Sequence, residues 1–499
     1  MRRTTVAPGT TPEPGREETS AWDARVRLLA TALDRPVPPG RPAAEGRLGE
    51  ALDALVDPQD RSQVWLALAV LTARLPLEDT VLEAARAAEL DGGGALADAV
   101  AAETTAHSAR WSVRVATGTT LVDVAHTAST TLSTGIQRVA REATRRWLRD
   151  HDCEALSWTQ DFEAPRELTD VELGRIVSAR AAERDLPSEQ TTVVVPWRAR
   201  YLVPELAAEP QRSARLRALA RFSGNRTGAI GFDCVPLTSA ETTQLGFAGV
   251  FAGNLSAVRW FDRVVTISEA ARTEYRGWTR MIGAIGVPGP QLETVLLPVE
   301  APDPADVDVR AARDRFVVAG LPLVLVVGSH EPRKNHAAVL HAAELLWREG
   351  LEFSLTFVGG NAWDSEAFQA RLAGLQAGGR PVETASKIPD AQLWGAYQLA
   401  RFTVFPSFNE GYGLPVAESL AVGTPAITSG FGSMLEIAEG GGTLLVDPHD
   451  DLSVADAMRR LLTHPPTLRR LRQEAEARPA RTWDEYAAEA WAALTSEPA

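Results

Sequence analysis

The stretch FTVFPSFNEGYGLPVAESLAVGTPAITS, residues 402–429, decides the fold of this chain. Its pattern predicts a strand, a loop, a helix, a second loop and a second strand. Residues 402–405 form a short apolar run that stops at Pro406, which is typical of a buried parallel strand. Gly411 and Gly413 leave the backbone bare in the first loop. The residues that carry chemistry are therefore expected between the first strand and the first turn of the helix.

This loop and helix predict an anion site. Pro415 suits the first position of a helix because its missing N–H would be unpaired there, so we expect Leu414 to cap the helix. The free N–H groups of residues 411–414 and the helix dipole favour an anion at the carboxyl end of the strand, where ligands of doubly wound sheets bind. Glu410 and Glu418 flank the site, although carboxylates repel phosphate. The spacing indicates a ligand with hydroxyl groups on both sides of its phosphates, as in a nucleotide sugar.

Each of these glutamates has a simpler interpretation when taken alone. Glu418 would complement the helix dipole, and Glu410 would be a solvated loop acid. The whole string favours a functional interpretation. The pair resembles the E-x7-E motif of retaining glycosyltransferases with the GT-B fold, and PSFNEGYGLPVAESLAVGTPAITS resembles the motif of glycosyltransferase family 4 (GT4). The resemblance implies that Glu410 orients the sugar or stabilises positive charge near the anomeric carbon, and that Glu418 binds ribose hydroxyls.

Length and composition are typical of a soluble protein of about three domains. The chain has 499 residues, 45% of them hydrophobic, and a net charge of −14, which argues against a general nucleic-acid binder. Cys153 and Cys234 lie far apart and lack metal-ligand spacing, which fits a reducing cytoplasm. No signal-peptide core and no apolar run long enough to span a bilayer are present in the sequence. We expect a cytoplasmic protein.

The resemblance implies an α/β protein with the GT-B fold, in which two Rossmann-like domains face each other across a cleft, with an extra N-terminal α-helical region. The segments predicted along the chain are a disordered tail (1–20), an α-helical appendage for packing or partner binding (21–108), a Rossmann-like acceptor domain (111–298), a Rossmann-like nucleotide-sugar domain (299–478) and a C-terminal crossover helix (479–499). The interdomain linker is expected in the Pro-rich stretch between Val287 and Leu321.

A second candidate cradle for phosphate or sugar precedes the predicted helix 135–149. Gly135 permits close backbone approach, and Ser133 or Thr134 can cap the helix. One face of the helix is apolar, and the opposite face carries Arg138, Arg141, Arg145 and Arg149. This stripe is either a solvated face or a contact with an anionic acceptor or membrane surface, helped by the Arg-rich stretch 198–226. The string TGIQRV resembles one found in bacterial polysaccharide-building GT4 enzymes.

Asp233 follows a predicted strand in the acceptor domain. In the family that the chain resembles, this position often reads His-Asp and lies in the interdomain cleft. Here Phe232 stands in place of the histidine, which puts any histidine-based role at this point in doubt. Asp233 remains the candidate for contact with sugar or acceptor, and an Asx turn after the strand is the other interpretation. Further along, Ser268 is expected to cap a helix.

Two adjacent cations follow the apolar strand LPLVLVVG, which ends at Gly328. The loop SHEPRKNHA brings Arg333 and Lys334 to the carboxyl end of that strand. Either cation alone could be a surface residue, but the pair fits charge-assisted contacts to a pyrophosphate. The resemblance implies that they hold the donor diphosphate, and that the nucleotide base rests near residues 386–389. Trp363 is expected either to line that side or to be a core residue.

We therefore predict a transferase that moves a hexosyl unit from a GDP-, UDP- or dTDP-sugar to an acceptor hydroxyl with retention of anomeric configuration. No cofactor or metal is expected, because the cations and loop N–H groups can stabilise the leaving diphosphate and no D-x-D pair occurs in a suitable context. The acceptor is a glycan, a lipid-linked sugar or a small molecule, and surface-polysaccharide assembly is favoured. A nucleotide-sugar epimerase or hydrolase, or a non-catalytic interaction protein, are the alternatives.

The predicted catalytic residues are Glu410, Lys334, Arg333 and Asp233. The predicted donor-binding residues are Gly135, Gly328, Arg333, Lys334, Trp363, Ile388, Gly411, Tyr412, Gly413, Leu414 and Glu418.

Overall fold

The computed structural model describes residues 16–40, 47–131, 134–177, 191–298 and 300–497. The chain forms two compact units. The first comprises Met1–Leu132, Asp150–Thr227 and Ser256–Phe261, and the second comprises Ser133–Arg149, Gly228–Leu255 and Asp262–Ala499. Most of the predicted disordered tail, residues 1–15, lies outside the described residues, as does the predicted cap Ser133. Residues 16–20 of that tail form the start of the first helix.

The extra N-terminal region is helical, as the apolar periodicity predicts. Its helices are α1 (Arg16–Ala32), α2 (Leu48–Leu55), α3 (Arg61–Thr72), α4 (Glu78–Asp91) and α5 (Gly93–Glu103). The guanidinium of Arg25 is buried and donates to the carbonyls of Leu71 at 2.7 Å and of Ser108 and Trp111 at 2.8 Å. These bonds satisfy a charge taken out of water and attach α1 to the chain that leads into the first strand.

The central part of the chain alternates strands with helices. In order, these are β1 (Ser112–Ala116), β2 (Thr120–Asp123), α6 (Ala125–Ser129), α7 (Gly135–Asp150), β3 (Cys153–Trp158), β4 (Pro165–Glu167), α8 (Asp170–Val177), β5 (Thr192–Pro196), β6 (Arg200–Val203), α9 (Pro210–Phe222), β7 (Arg226–Gly231), α10 (Val235–Thr238), α11 (Phe247–Val258), β8 (Arg263–Thr266), α12 (Glu269–Gly283) and β9 (Gln291–Thr294).

In the first unit the strands lie in the order β1-β5-β4-β3-β2-β6. Pairing is parallel except at β4, which is antiparallel to β3 and β5. A Rossmann-like domain is built on a mostly parallel sheet, so β4 departs from the pattern that the resemblance implies. The difference arises because β4 follows β3 after a connection of six residues, which is too short for the helical crossover that a parallel neighbour requires.

The C-terminal part of the second unit is a parallel six-stranded sheet covered by helices. Its elements are α13 (Val309–Phe316), β10 (Leu323–Val327), α14 (His336–Arg348), β11 (Ser354–Val358), α15 (Glu366–Ala377), β12 (Val382–Ala385), α16 (Asp390–Leu399), β13 (Phe402–Phe405), α17 (Leu414–Ala421), β14 (Ala426–Ser429), α18 (Gly432–Ala438), β15 (Thr443–Val446), α19 (Asp451–Thr463), α20 (Pro465–Glu476) and α21 (Trp483–Thr495). The strand order is β12-β11-β10-β13-β14-β15. From β10 to β12 each strand is added on one side of β10, whereas β13, β14 and β15 are added on the other side. The loops after the neighbouring strands β10 and β13 therefore lie side by side.

Three further features belong to the second unit. Strands β7, β8 and β9 pair in parallel. Strand β9 and helix α13 lie within the Pro-rich stretch where the linker was expected. The last helix, α21, contacts α7, where the indole N–H of Trp147 donates to the carbonyl of Ala487 at 2.8 Å. Within the described ranges, no helix is long and apolar enough to cross a membrane.

Two arginines of the Arg-rich stretch 198–226, Arg212 and Arg215, are buried and do not belong to an exposed basic surface. Arg212 is fully buried, and its guanidinium lies 2.7 Å from Asp123 and 2.8 Å from Glu205. Tyr201 and Trp158 each donate to Asp123 at 2.8 Å. The first unit therefore contains a buried charge network whose carboxylates depend on one cation.

We predict that Arg212→Met destabilises the first unit by about 3–5 kcal/mol, because the substitution leaves Asp123 and Glu205 buried without their cation. Urea unfolding followed by circular dichroism measures the loss. Arg459→Met is the matched control, since Arg459 forms ion pairs at the surface and its loss is expected to leave the transition unchanged. Equal effects of the two variants would contradict the prediction.

Candidate functional site

Glu410 lies at the centre of the loop that joins β13 to α17. It is buried, and one carboxylate oxygen accepts from the ammonium of Lys334 at 2.6 Å and from the hydroxyl of Ser407 at 2.6 Å. The other oxygen lies 2.5 Å from the guanidinium of Arg333. Arg333 also pairs with Glu331 at 2.6 Å. The solvated-acid interpretation of Glu410 is therefore wrong, because the carboxylate is shielded from water by both predicted cations.

The charges of this cluster fix its protonation. Burial disfavours the ionised form of Glu410, but Arg333 and Lys334 outweigh burial and lower its pKa to about 2. Burial likewise opposes the charge of Arg333, and Glu410 and Glu331 more than offset it, so the pKa of Arg333 is raised. For Lys334, burial and the neighbouring Arg333 lower the pKa despite Glu410. Glu410 is thus the group that keeps the buried Lys334 and the half-buried Arg333 together.

Helix α17 begins one residue earlier than expected. Its N-cap is Gly413, with a φ of 108°, and not Leu414, which is the first helical residue. Only glycine adopts this backbone conformation without strain, and that preference overrides the signal from Pro415. A Cβ on Gly411 would lie 2.6 Å from the carbonyl oxygen of Phe232, so this position also requires glycine. The N–H groups at the start of α17 lie next to the loop of Glu410, and their contact with an anion stays a prediction.

The loop after β10 lies tightly against the end of β11. Its Arg333 and Lys334 are in a short 3-10 turn, and the carbonyl of Arg333 accepts from the backbone N–H of Phe408 at 3.0 Å, which joins this loop to the Glu410 loop. Gly328 has a φ of 147°, and a Cβ there would lie 3.6 Å from the Lys334 side chain. A Cβ on Gly359 would lie 1.9 Å from the carbonyl oxygen of Gly328. Gly359 is therefore needed for the backbone to pass here, and the positive φ of Gly328 favours glycine there.

Asp233 lies in the same unit, close to the cations. Its carboxylate accepts from the N–H of Val235 at 3.1 Å, which is the Asx turn that the sequence left open. Burial raises the pKa of Asp233 to about 6, although the charge of Arg333 opposes the rise. Nearby, Glu274 accepts from the side chain of Asn409 at 2.9 Å. Asp233 is therefore a half-buried acid whose pKa is raised to about 6, beside the cluster around Glu410.

Glu418 lies in the second turn of α17 and is held from two sides. The hydroxyl of Tyr397 donates to one of its oxygens at 2.8 Å, and Arg138 of helix α7 pairs with the other. A Cβ on Gly135, the first residue of α7, would lie 3.3 Å from the Leu414 side chain, so the starts of α7 and α17 lie side by side. The predicted arginine stripe is therefore not a uniformly solvated face.

Comparison with known proteins agrees with this geometry. Residues 311–478 match the profile of the family described as Glycosyl transferases group 1. These residues are a group 1 glycosyltransferase domain.

The chain is similar to a curated mannosyltransferase. The serotype-specific mannosyltransferase WbdA of Escherichia coli is 27% identical over 332 residues, which cover 64% of this chain and 40% of that relative. The chain thus spans less than half the length of this relative.

Solved structures show that the fold is GT-B. Sucrose-phosphate synthase from Thermosynechococcus elongatus superimposes with a TM-score of 0.53 at 17% identity, over 74% of this chain and 97% of that one. HepE from Anabaena, in complex with UDP and glucose, superimposes with a TM-score of 0.51 at 12% identity, over 72% and 94%. The α/β architecture expected from the motif is confirmed.

Three predicted donor-binding side chains have other contacts in the structure. The Tyr412 hydroxyl donates to the carbonyl of Leu297 at 3.0 Å, so only the backbone of Tyr412 is available at the predicted anion site. Ile388 packs against the core of the group 1 domain. Trp363 is half-buried, outside the core, and donates to the carbonyl of Thr242 at 3.2 Å. Their contact with a donor stays a prediction.

Sequence reasoning missed several partners within the site. Ser407 and Asn409 stand inside the quoted motif, and their positions next to Glu410 were the signal that could have identified them. Glu331 precedes the two cations by two and three residues and pairs with Arg333. The contact of Arg138 with Glu418 joins residues far apart in the chain, and no local pattern indicates it.

We predict that Asp233→Asn stabilises the protein increasingly as pH rises from about 4 to about 6. The carboxyl pKa is raised from 3.8 to about 6 in the folded state, so the folded chain binds more protons than the unfolded chain in this window, and wild-type stability falls as pH rises. The asparagine side chain does not ionise, so the variant does not lose stability as pH rises through this window. Its carbonyl oxygen still accepts from the N–H of Val235. The gain should approach roughly 3 kcal/mol above pH 7 and vanish below pH 4.

Thermal unfolding of both proteins at a series of pH values measures this difference. A difference that does not depend on pH would contradict the raised pKa of Asp233.

Proposed function

We propose that this protein transfers a hexosyl unit from a nucleotide-sugar donor to an acceptor hydroxyl, with retention at the anomeric carbon. The observation that carries the proposal is the cluster of Arg333, Lys334 and Glu410 beside the start of α17, inside a group 1 domain. The cluster combines two cations with bare helix N–H groups at one sheet edge. Such a place binds a diphosphate.

The chemistry that the cluster supports is stabilisation of a leaving diphosphate. Negative charge grows on the diphosphate as the bond between sugar and phosphate breaks. Lys334 has three N–H donors and Arg333 has five. One N–H of Lys334 donates to Glu410. The guanidinium of Arg333 contacts Glu410, Glu331 and the carbonyl of Asn409. Because these side chains are fixed before the substrate arrives, little reorganisation is needed as charge develops.

The donor and the acceptor are proposed from the relatives. WbdA is a mannosyltransferase, and the solved HepE complex contains UDP and glucose. We therefore propose a mannose- or glucose-type donor carried by GDP, UDP or dTDP, and an acceptor that is a glycan, a lipid-linked sugar or a small molecule in surface-polysaccharide assembly. Two free cysteines, Cys153 and Cys234, support a cytoplasmic location.

The arginines of helix α7 that could contact an anionic membrane already pair with carboxylates of the protein. Arg138 pairs with Glu418, Arg145 pairs with Glu142, and Arg149 lies 3.4 Å from Asp484. An anionic surface would have to compete with carboxylates for these arginines. Arg145 and Arg149 are the exposed members of the stripe, so a peripheral contact would depend on this end of the helix.

We predict that the protein releases nucleoside diphosphate from one member of a panel of GDP-, UDP- and dTDP-sugars, and that Lys334→Ala lowers this rate at least about a hundredfold, as loss of a donor to a developing anion does elsewhere. Arg348→Ala is the control, because Arg348 lies at the opposite end of α14 and is 69% exposed. Circular dichroism should show that both variants fold.

A near wild-type rate in Lys334→Ala would contradict the role of Lys334. Free sugar as the only product, even with acceptor present, would favour the hydrolase, and inversion within the nucleotide sugar would favour the epimerase. The anomeric configuration of a transferred sugar, read by NMR, tests retention.

We also predict that the reaction proceeds without a divalent metal, because Arg333 and Lys334 supply the positive charge that a bridging ion would otherwise provide. Rates measured in EDTA and in magnesium or manganese should agree within about twofold. A rate abolished by EDTA and restored by one of these ions would contradict a mechanism without metal.

A further inference from the structure

The sheet of the first unit changes direction at β2. Strand β2 pairs in parallel with β3 on one side and with β6 on the other. The chain continues from β2 towards β3, on the side opposite to β6. Open α/β sheets bind ligands in the crevice outside the carboxyl ends of the strands at such a point. The loops that follow β2 and β6 are therefore the place in this unit where a ligand is expected.

Helix α6 follows β2, and an acid from the loop after β6 fixes its backbone. The carboxylate of Glu205 accepts from the backbone N–H groups of His126 and Thr127, each at 2.8 Å, and from the hydroxyl of Thr127 at 2.6 Å. Glu205 is itself buried. These bonds join the loops after the two strands and give α6 one position. His126 is thus held at the crevice by its own backbone.

The imidazole of His126 is the exposed end of the buried charge network around Arg212. Its Nδ1 lies 3.5 Å from Glu209, and the side chain is 43% exposed. Glu209 in turn lies 3.2 Å from the guanidinium of Arg212. The hydrogen bond to Glu209 raises the pKa of His126 despite burial, and Glu205 adds to the rise while Arg212 opposes it. Because Glu209 orients the ring through Nδ1, Nε2 is the atom that a ligand would meet.

The charges behind His126 select the kind of ligand. Arg212 is fully buried, and its guanidinium contacts three carboxylates, those of Asp123, Glu205 and Glu209. The positive charge of Arg212 is outnumbered by these carboxylates, so a phosphate at His126 would be repelled by Glu205 and Glu209. A hydroxyl is uncharged, and it can donate to an imidazole nitrogen or accept from one. The crevice therefore suits a neutral ligand with hydroxyl groups, which is the chemistry of a sugar.

We infer that His126 selects the acceptor: its imidazole bonds a hydroxyl group of a neutral sugar at the carboxyl ends of β2 and β6, and the carboxylates beside it exclude a sugar that presents a phosphate there. The inference rests on the proposed function, since it concerns the acceptor of that same transfer. The cluster proposed for the donor diphosphate belongs to the second unit, so this crevice of the first unit is assigned to the other substrate. The accepting end of the acceptor is thereby narrowed to an uncharged sugar.

The test compares neutral glycosides with sugar phosphates as ligands of the whole protein. The neutral probes are the methyl glycosides of mannose, glucose and galactose, and the anionic probes are the 6-phosphates of mannose and glucose. Isotope-labelled histidine reports binding by NMR, and the signal of His126 is the one missing from His126→Gln. At least one glycoside should move this signal, with a dissociation constant at least about tenfold below those of the sugar phosphates.

His126→Phe removes both ring nitrogens from a partly exposed position. The dissociation constant of that glycoside, followed by saturation transfer to the glycoside itself, should rise by about tenfold or more, because the bond to its hydroxyl is not replaced. His126→Gln keeps a polar amide and should lose less. Release of nucleoside diphosphate from the donor alone should stay within about twofold of the wild-type rate in both variants. His341→Gln is the matched control, since His341 is exposed on α14, and it should leave glycoside binding unchanged.

Three results would overturn the inference. These are a panel in which no glycoside moves the His126 signal, a sugar phosphate that binds as tightly as the glycosides, and equal glycoside affinity in the wild type and both His126 variants. In each case, release of nucleoside diphosphate that depends on Lys334 would leave the proposed function standing. A wild type that releases no nucleoside diphosphate from any donor, with or without glycoside, would overturn both.

Discussion

The candidate site depends on the ion cluster in which Glu410 holds Arg333 and Lys334. Two cations on adjacent residues repel each other, and burial removes the water that would screen them. A single buried carboxylate with an oxygen facing each cation offsets both costs. The loop that presents it is tied to the rest of the unit through its backbone, since the carbonyl of Glu410 accepts from Ser433 at 2.8 Å and that of Gly411 from Ser268 at 2.6 Å. The ion pairs of Glu410 therefore depend on the backbone path of its loop, which these two hydrogen bonds fix.

Much of the group 1 domain could be predicted because its signals are local. Apolar runs such as residues 402–405 form buried parallel strands, and Ser268 caps α12 as its position indicated. Gly411 lies where the backbone approaches a neighbour too closely for a side chain, and Gly413 adopts a positive φ that favours glycine. The N-cap was predicted at Leu414 and lies at Gly413. The preference of proline for the first helical position considers only the residue beside Pro415, whereas the positive φ of Gly413 is set by the whole loop.

What could not be predicted depends on contacts through space. Helical periodicity put Arg138 in a stripe with three other arginines, and only the fold shows that it lies between two tryptophans and reaches Glu418. Arg212 shows the same limit in the first unit, where a basic stretch of sequence conceals a fully buried cation among carboxylates. Periodicity reports which face of an element is apolar. It does not report which charged residue on the other face meets a partner from another element.

The proposed diphosphate site contains several carboxylates, and their presence has a physical rationale. Burial lowers the pKa of Lys334, and without Glu410 the lysine would lose its proton more readily and with it the charge that attracts a diphosphate. The carboxylate therefore preserves the cation that it partly neutralises. Asp233 contributes in the opposite sense, because burial raises its pKa to about 6 and a proton can remove its charge at little cost near neutral pH. A diphosphate bound as proposed would then meet two positive charges that Glu410 keeps protonated, together with an acid, Asp233, that can lose its negative charge by taking up a proton.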